Sequence, residues 1–343
     1  RHGLGPAAGS AILIPLTFDL DPTGGLIMIA AIYYGAMYGG TITSVLMNVP
    51  GEAASVITCL DGHPMAKQGR AGLALGVAAV ASFAAGTVAT LGVMIVSLPL
   101  ATLALRFGPP EMFSIAVLGL AMVAGFSGRS IIAAVVMTFF GLMLSMIGMD
   151  PVRGAPRFTF GILPLYDGVG LVPVVMGLFG LGEIFLSMER PDVEVNKSKL
   201  GRLLPERKEW GLASRSTLRG SVTGFTLGLI PGIGSMIPTF LAYSLEKKVS
   251  KRPGAFGTGI IEGVAAPESA NNAYANAAMI PMLALGIPAS PTMAVLMGAF
   301  IIHGLAPGPF LFRDRPDVVW GLIASLYVGN LILLLLNLPL VGL

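Results

Sequence analysis

Ala71 to Leu98 runs without a charged residue, and Gly24 to Leu60 carries only Glu52. About 20 apolar residues span a bilayer as a helix, and a helix satisfies its own backbone in hydrocarbon. The whole chain is written this way. Charged residues make up 11% of it, where a soluble domain carries about 25%. That is too little charge to cover a water-facing surface, so the lipid bilayer is expected to be the main solvent. The reading is an all-α integral membrane protein, a polytopic helical transporter. Its 343 residues leave room for roughly eight to twelve spans.

The apolar segments fall near 4–18, 24–60, 71–98, 111–127, 130–149, 162–187, 217–245, 256–304 and 318–342. Between them, 189–219 is densely and mixedly charged, as in a solvated linker. A weak internal repeat crosses that linker. Gly3-Leu4-Gly5-Pro6 corresponds to Gly232-Ile233-Gly234-Ser235, and Gly35 to Gly263. Gly40 to Ser44 corresponds to Glu268 to Asn272, and Asn48-Val49-Pro50-Gly51-Glu52 to Gly286-Ile287-Pro288-Ala289-Ser290. Ala81-Ser82-Phe83 and Gly86 correspond to Ala324-Ser325-Leu326 and Gly329, and Leu98-Pro99-Leu100 to Leu338-Pro339-Leu340.

Loop charges set the orientation of the two copies. The first loop of copy one is acidic (Asp19, Asp21) and its second is basic (Lys67, Arg70, with Asp61). In copy two the first loop is basic (Lys247, Lys248, Lys251, Arg252). Because basic loops favour the cytoplasm, the copies are expected to face opposite ways, as inverted-topology repeats with broken helices do in secondary transporters. The expected organisation is repeat 1 at 1–100, intervening transmembrane helices at 101–188, a cytoplasmic linker at 189–219 and repeat 2 at 220–343. Loops 189–219 and 246–252 are both basic, so 217–245 is expected to turn back as a re-entrant hairpin at Pro231-Gly232-Ile233-Gly234. The chain opens at Arg1 and closes inside an apolar run, so it is expected to be part of a longer protein.

Several function classes are disfavoured. A net charge of +3 does not suggest nucleic acid. Cys59 is the only cysteine, and His2, His63 and His303 lie far apart, so no zinc-ligand spacing exists and no metal beyond a possible Na+ is expected. No nucleophile–base pattern or phosphate loop is present, so the chain is read as neither an enzyme nor a cofactor protein.

Two segments are too polar for lipid and occupy equivalent places in the copies. The first holds Thr41, Thr43 and Ser44, then Asn48, Pro50, Gly51, Glu52 and Ser55. The second holds Glu268, Ser269, Asn271 and Asn272, then Pro288, Ala289, Ser290 and Thr292. A carboxylate within a span costs about 2.5–3.5 kcal/mol on insertion scales, so Glu268 should face the interior with a partner. Helices restarting after Pro50-Gly51 and Pro288-Ala289 would present free N–H groups and positive dipole ends, which bind carboxylates without Lys or Arg. Thr41, Thr43, Ser44, Asn48, Pro50, Gly51, Glu52, Ser55, Ser269, Pro288, Ala289, Ser290 and Thr292 are therefore candidate substrate-binding residues. Asn48, Glu268, Asn271 and Asn272 are candidates for a coupling Na+, with a proton on Glu268 as the competing charge. Two plainer readings stand beside these. Thr and Ser in membrane helices often only bond a backbone carbonyl, and Glu52 also fits a wet helix start.

The runs Ala31 to Gly40, Asn48 to Ser55, Leu60 to Ala66, Asp150 to Gly161, Glu262 to Asn272 and Ile302 to Pro309 resemble the large membrane subunit of tripartite tricarboxylate transporters. His63 stands where that family is expected to carry Tyr. The resemblance implies a multi-pass permease of the bacterial inner membrane, with further spans before Gly3 and after Leu343. It implies a small membrane subunit and a periplasmic solute-binding protein as partners. It also implies uptake of citrate-like carboxylates driven by a Na+ or H+ gradient. An ATP-driven permease or channel-like subunit for small anions is the alternative.

Overall fold

The computed structural model describes residues 5–125, 130–150, 153–182, 185 and 201–340. Gly3, Leu4, Arg129 and residues 189–200 of the charged linker lie outside them. Helix α1 (Pro6–Leu13) leads into α2 (Pro22–Met47). Then come α3 (Cys59–Lys67), α4 (Ala71–Ala104), α5 (Pro109–Gly125), α6 (Ile131–Ser145) and the short α7 (Leu171–Val175). Starting inside the charged stretch come α8 (Arg207–Gly228), α9 (Met236–Val249), α10 (Glu262–Ala277), α11 (Met279–Leu285), α12 (Pro291–Ile302), α13 (Leu311–Asp314) and α14 (Pro316–Leu340). Among the described residues the only strand pairing is the two-residue match of Gly148–Met149 with Pro156–Arg157. The protein is an all-α membrane protein.

Among the described residues three helices, at Pro22–Met47, Ala71–Ala104 and Pro316–Leu338, are long and apolar enough to cross a membrane. Left-handed turns, set among Pro and Gly, break two of the expected apolar segments into shorter pieces. Segment 24–60 ends its helix at Met47, where Asn48 takes a left-handed conformation (φ 55°). Segment 256–304 is divided at Gly286, also left-handed (φ 72°). The charged stretch is itself helical from Arg207, since Glu206 and Glu209 cap that end reciprocally and Arg202 pairs with both.

Helix α10 is the centre of the fold. All 16 of its residues are buried, and half are Ala, Gly or Ser, so neighbouring helices approach closely. One face meets Gly220, Gly224 and Gly228 of α8. A second meets α4, where Asn272 bonds Ser82 and Asn276 bonds Gly86 and Thr90. A third meets α2, through Tyr33 to the Ala275 carbonyl and Asn271 to the Met37 carbonyl. Helices α8 and α9 pack as a pair clamped by Arg219, which donates to both oxygens of Glu246 at 2.7 and 2.6 Å. The α5–α6 pair instead exposes Phe113, Leu118, Ile132, Phe139 and Phe140, a surface suited to hydrocarbon.

Candidate functional site

Four helix starts converge on one cavity of about 870 Å³, within the usual size of small-ligand sites. Gly5 to Ala8 bring the start of α1. Val49 to Ala53 bring the 3₁₀ turn Ala53–Val56 that restarts the chain after α2. Gly234 to Met236 bring the start of α9, and Ser290 to Thr292 that of α12. Proline at the first position fixes the entry of α1 and of α12. Glu52 caps the 3₁₀ turn in a reciprocal box with Ser55, and Ser290 caps α12 by accepting from the Met293 N–H. Glu52 is the only ionisable side chain among the described residues lining the cavity. Among the described residues, an anion there would meet helix N-termini and hydroxyls and no Lys or Arg.

Positions paired by the internal repeat share conformations as well as the cavity. Asn48 and Gly286 are both left-handed helix ends. Glu52 and Ser290 are both N-caps. Gly5-Pro6 and Gly234-Ser235 both line the cavity wall. The second break is tied to the α8–α9 turn and to α10 through the Ala289 carbonyl, which accepts from the Gly232 N–H at 3.2 Å and the Tyr274 hydroxyl at 3.3 Å.

Glu268 lies in a separate, fully buried cluster. Thr58 donates to its Oε1 at 2.5 Å, Thr41 to its Oε2 at 2.7 Å, and Ser82 to Oε2 at 3.5 Å. Asn272 Nδ2 donates to Ser82 Oγ at 2.7 Å, while its own Oδ1 is buried without a partner among the described residues. Beside Glu268 is a space of about 10 Å³ bounded also by Tyr38, Thr41, Ser82 and Asn337, enough for one water-sized occupant. Asn271 connects the two regions. It sits on α10 three residues after Glu268 and donates to Glu52 Oε1 at 2.8 Å.

The structure therefore sorts the sequence candidates into groups. Pro50, Gly51, Glu52, Ser290 and Thr292 line the cavity. Ser55 stands behind it as the partner in the Glu52 cap. Thr41 turns to Glu268. Thr43 and Ser44 bond the Gly40 carbonyl of their own helix. Ser269 bonds the Ala265 and Ala266 carbonyls and packs against Gly220. Pro288 and Ala289 shape the second break without lining the cavity, and Asn48 is exposed, outside the bonding network of Glu268. Thr58 and Met236 were not singled out from sequence, whereas Gly234 and Ser235 were, as repeat marks. Ser82 was, as a repeat mark, and the four-residue spacing of Ser82, Gly86 and Thr90 marks a polar stripe on α4.

Thr58→Val should be costly, because Thr58 is the sole donor to Glu268 Oε1 among the described residues. An unpaired buried carboxylate oxygen costs about 1.5–3 kcal/mol. The purified variant is expected to melt several degrees below the wild type in detergent, and an unchanged melting temperature would refute the assignment.

The tripartite tricarboxylate transporter TctA family model matches residues 2–343. An Agrobacterium vitis protein described as "Uncharacterized 52.8 kDa protein in TAR-I ttuC' 3'region" is 46% identical over 342 residues. The match covers 99% of this chain and 68% of that relative. A second Agrobacterium vitis protein, "Uncharacterized protein in TAR-II ttuC' 3'region", is 55% identical over 120 residues. That match covers 35% of this chain and 50% of that relative. No solved structure gives a significant match. With its model spanning nearly every residue, the chain belongs to the tripartite tricarboxylate transporter TctA family.

Proposed function

We propose that the protein takes up tricarboxylates or related carboxylates across the bacterial inner membrane by secondary active transport. A Na+ or H+ gradient drives the uptake, and a periplasmic solute-binding protein delivers the substrate. The family name supports partner subunits, here a small membrane subunit and that binding protein. The observation that carries the reading is the cavity in which four helix starts meet with no basic side chain among the described residues. Such ends favour carboxylates through free N–H groups and the helix dipole. Pro50, Gly51, Glu52, Ser290 and Thr292 form the wall, and Gly234 to Met236 join them.

The coupling cation sits at Glu268 with Asn272, Thr41 and Ser82. Support comes from the water-sized space at that carboxylate and the unpartnered Asn272 Oδ1. Residues 1–100 and 220–343 act as two inverted repeats flanking helices at 101–188, with 189–219 as the cytoplasmic linker. The matched caps and left-handed ends support that plan. The α8–α9 pair, turning at residues 229–235, serves as the re-entrant hairpin and brings its apex to the cavity.

The test is uptake by the complete transporter in proteoliposomes. Labelled citrate and a panel of di- and tricarboxylates would be offered with an imposed Na+ or proton gradient and no ATP. Accumulation above the external concentration is expected. Uptake that requires ATP would replace this reading with an ATP-driven permease.

A further inference from the structure

We infer that Glu52 is a second cation position, in the wall of the anion cavity, and that a monovalent cation must neutralise it as the carboxylate substrate binds. The inference rests on the carboxylate-uptake reading above and deepens it. It assigns one positive charge, a sodium ion or a proton, in addition to the one at Glu268.

The argument starts from a conflict in the cavity. Helix starts of α1, α9 and α12 make it attractive to anions, yet Glu52 also lines it. Glu52 is 8% exposed and belongs to none of the ion pairs of the described residues. Its two oxygens accept one hydrogen bond each, from Asn271 Nδ2 at 2.8 Å and from the Ala54 N–H at 3.3 Å. Both donors are neutral. The titratable groups that interact electrostatically with it are Glu268 and Tyr33, and neither carries positive charge.

An ionised Glu52 would therefore oppose the substrate directly. At an effective dielectric constant near 20 and a separation of about 6 Å, two like unit charges repel by an amount equal to about a hundredfold in affinity. A cation on Glu52 removes that penalty. By linkage, the anion then raises the cation's affinity by the same factor. A carboxylate in an anion site thus makes each ligand depend on the other, which is what coupled transport requires. A second observation points to a missing ligand. Asn271, itself 1% exposed, donates both to Glu52 and to the Met37 carbonyl, while its Oδ1 is buried with no partner among the described residues. Orphaned acceptors of this kind mark an absent water or cation.

The experiment measures carboxylate binding to the complete transporter, with citrate first and then other di- and tricarboxylates. Na+ is varied at fixed pH, and pH at fixed Na+. In the wild type, the logarithm of apparent affinity should rise with the logarithm of cation concentration with a slope approaching two. The arm that carries the slope identifies the cation. Glu52→Gln removes the charge and keeps one oxygen, which can serve either the Asn271 Nδ2 or the Ala54 N–H donor but not both. It should lower the slope to about one and tighten binding about a hundredfold at low cation concentration. Glu268→Gln should also leave a slope of about one, carried by Glu52. An unchanged slope in Glu52→Gln, or a slope of zero in Glu268→Gln, overturns the inference while leaving carboxylate transport in place. If Glu52→Gln fails to fold, Glu268→Gln alone decides. A wild type that binds none of the carboxylates removes the transport reading, and this inference with it.

Discussion

Gly224→Leu is expected to prevent the protein from accumulating as a folded, monodisperse species. Gly220, Gly224 and Gly228 repeat every four residues and form one stripe along α8. A Cβ at Gly224 would lie closer than 3.0 Å to the backbone of Ala270, and one at Gly220 would crowd the Ala266 carbonyl in the same way. Backbone atoms inside a packed helix cannot swing aside as a flexible side-chain tip can. A leucine would therefore push α8 off α10 along its whole length. Overpacking costs about 1–3 kcal/mol in ordinary cores and more where the neighbour is rigid. Because α10 carries Glu268, Asn271 and Asn272, the lost contact would disorganise both polar regions at once. Gly39, also in a helix but with nothing within 4 Å of an added Cβ, is the matched control. Gly39→Ala should leave the gel-filtration profile unchanged while Gly224→Leu moves into the void volume. A normal profile for Gly224→Leu would mean that the α8–α10 interface is looser than described.

The breaks in the fold were legible because their chemistry is local. Asn48 and Gly286 tolerate the left-handed backbone that ends a helix, and proline cannot continue one. Ser290 is a favoured N-cap, and Pro291 a favoured first residue. The pairing of these marks in sequence pointed to two related breaks, and both border one cavity.

What the sequence could not convey was which face of each helix meets which neighbour. Thr41, Thr43 and Ser44 look equivalent as letters. Yet only Thr41 projects to Glu268, while the other two close on the Gly40 carbonyl as Ser and Thr commonly do. Ser269 follows Glu268 directly but points to α8, since neighbouring residues on a helix diverge by about 100°. Thr58, in the turn before α3, and Ser82, on α4, reach Glu268 from far away in sequence, with separations of 210 and 186 residues. No local pattern signals such contacts. Asp61 shows the same limit for charge. Beside Lys67 and Arg70 it reads as a loop acid, whereas it is fully buried.

Asp61→Ala should be the most destabilising single side-chain removal outside the glycine stripe. Asp61 projects from α3 into the loop that leads to α10. It accepts from the N–H groups of Gly257, Gly259 and Ile260 at 2.8–3.0 Å and from the Tyr243 hydroxyl at 2.8 Å. A single carboxylate thus gathers four donors and fixes how the first half of the chain docks on the entry to the central helix. Gly263 lies against the same carboxylate, where a Cβ would not fit, so the space is shaped for it. Alanine leaves those donors without an acceptor at about 1–3 kcal/mol for each one that stays buried. The sum, about 3–6 kcal/mol, is a large fraction of the roughly 5–15 kcal/mol that holds a typical protein folded. Asp61→Asn keeps one acceptor oxygen but turns an NH₂ toward other donors. Tyr243→Phe removes one bond and leaves the loop contacts intact. Melting temperatures in detergent should therefore fall in the order Tyr243→Phe, Asp61→Asn, Asp61→Ala. Amide exchange at Gly257 to Ile260 should accelerate in the same order. If Asp61→Ala melts with the wild type, the loop is held by its own turns, and α3 does not govern the placement of the helix that carries Glu268.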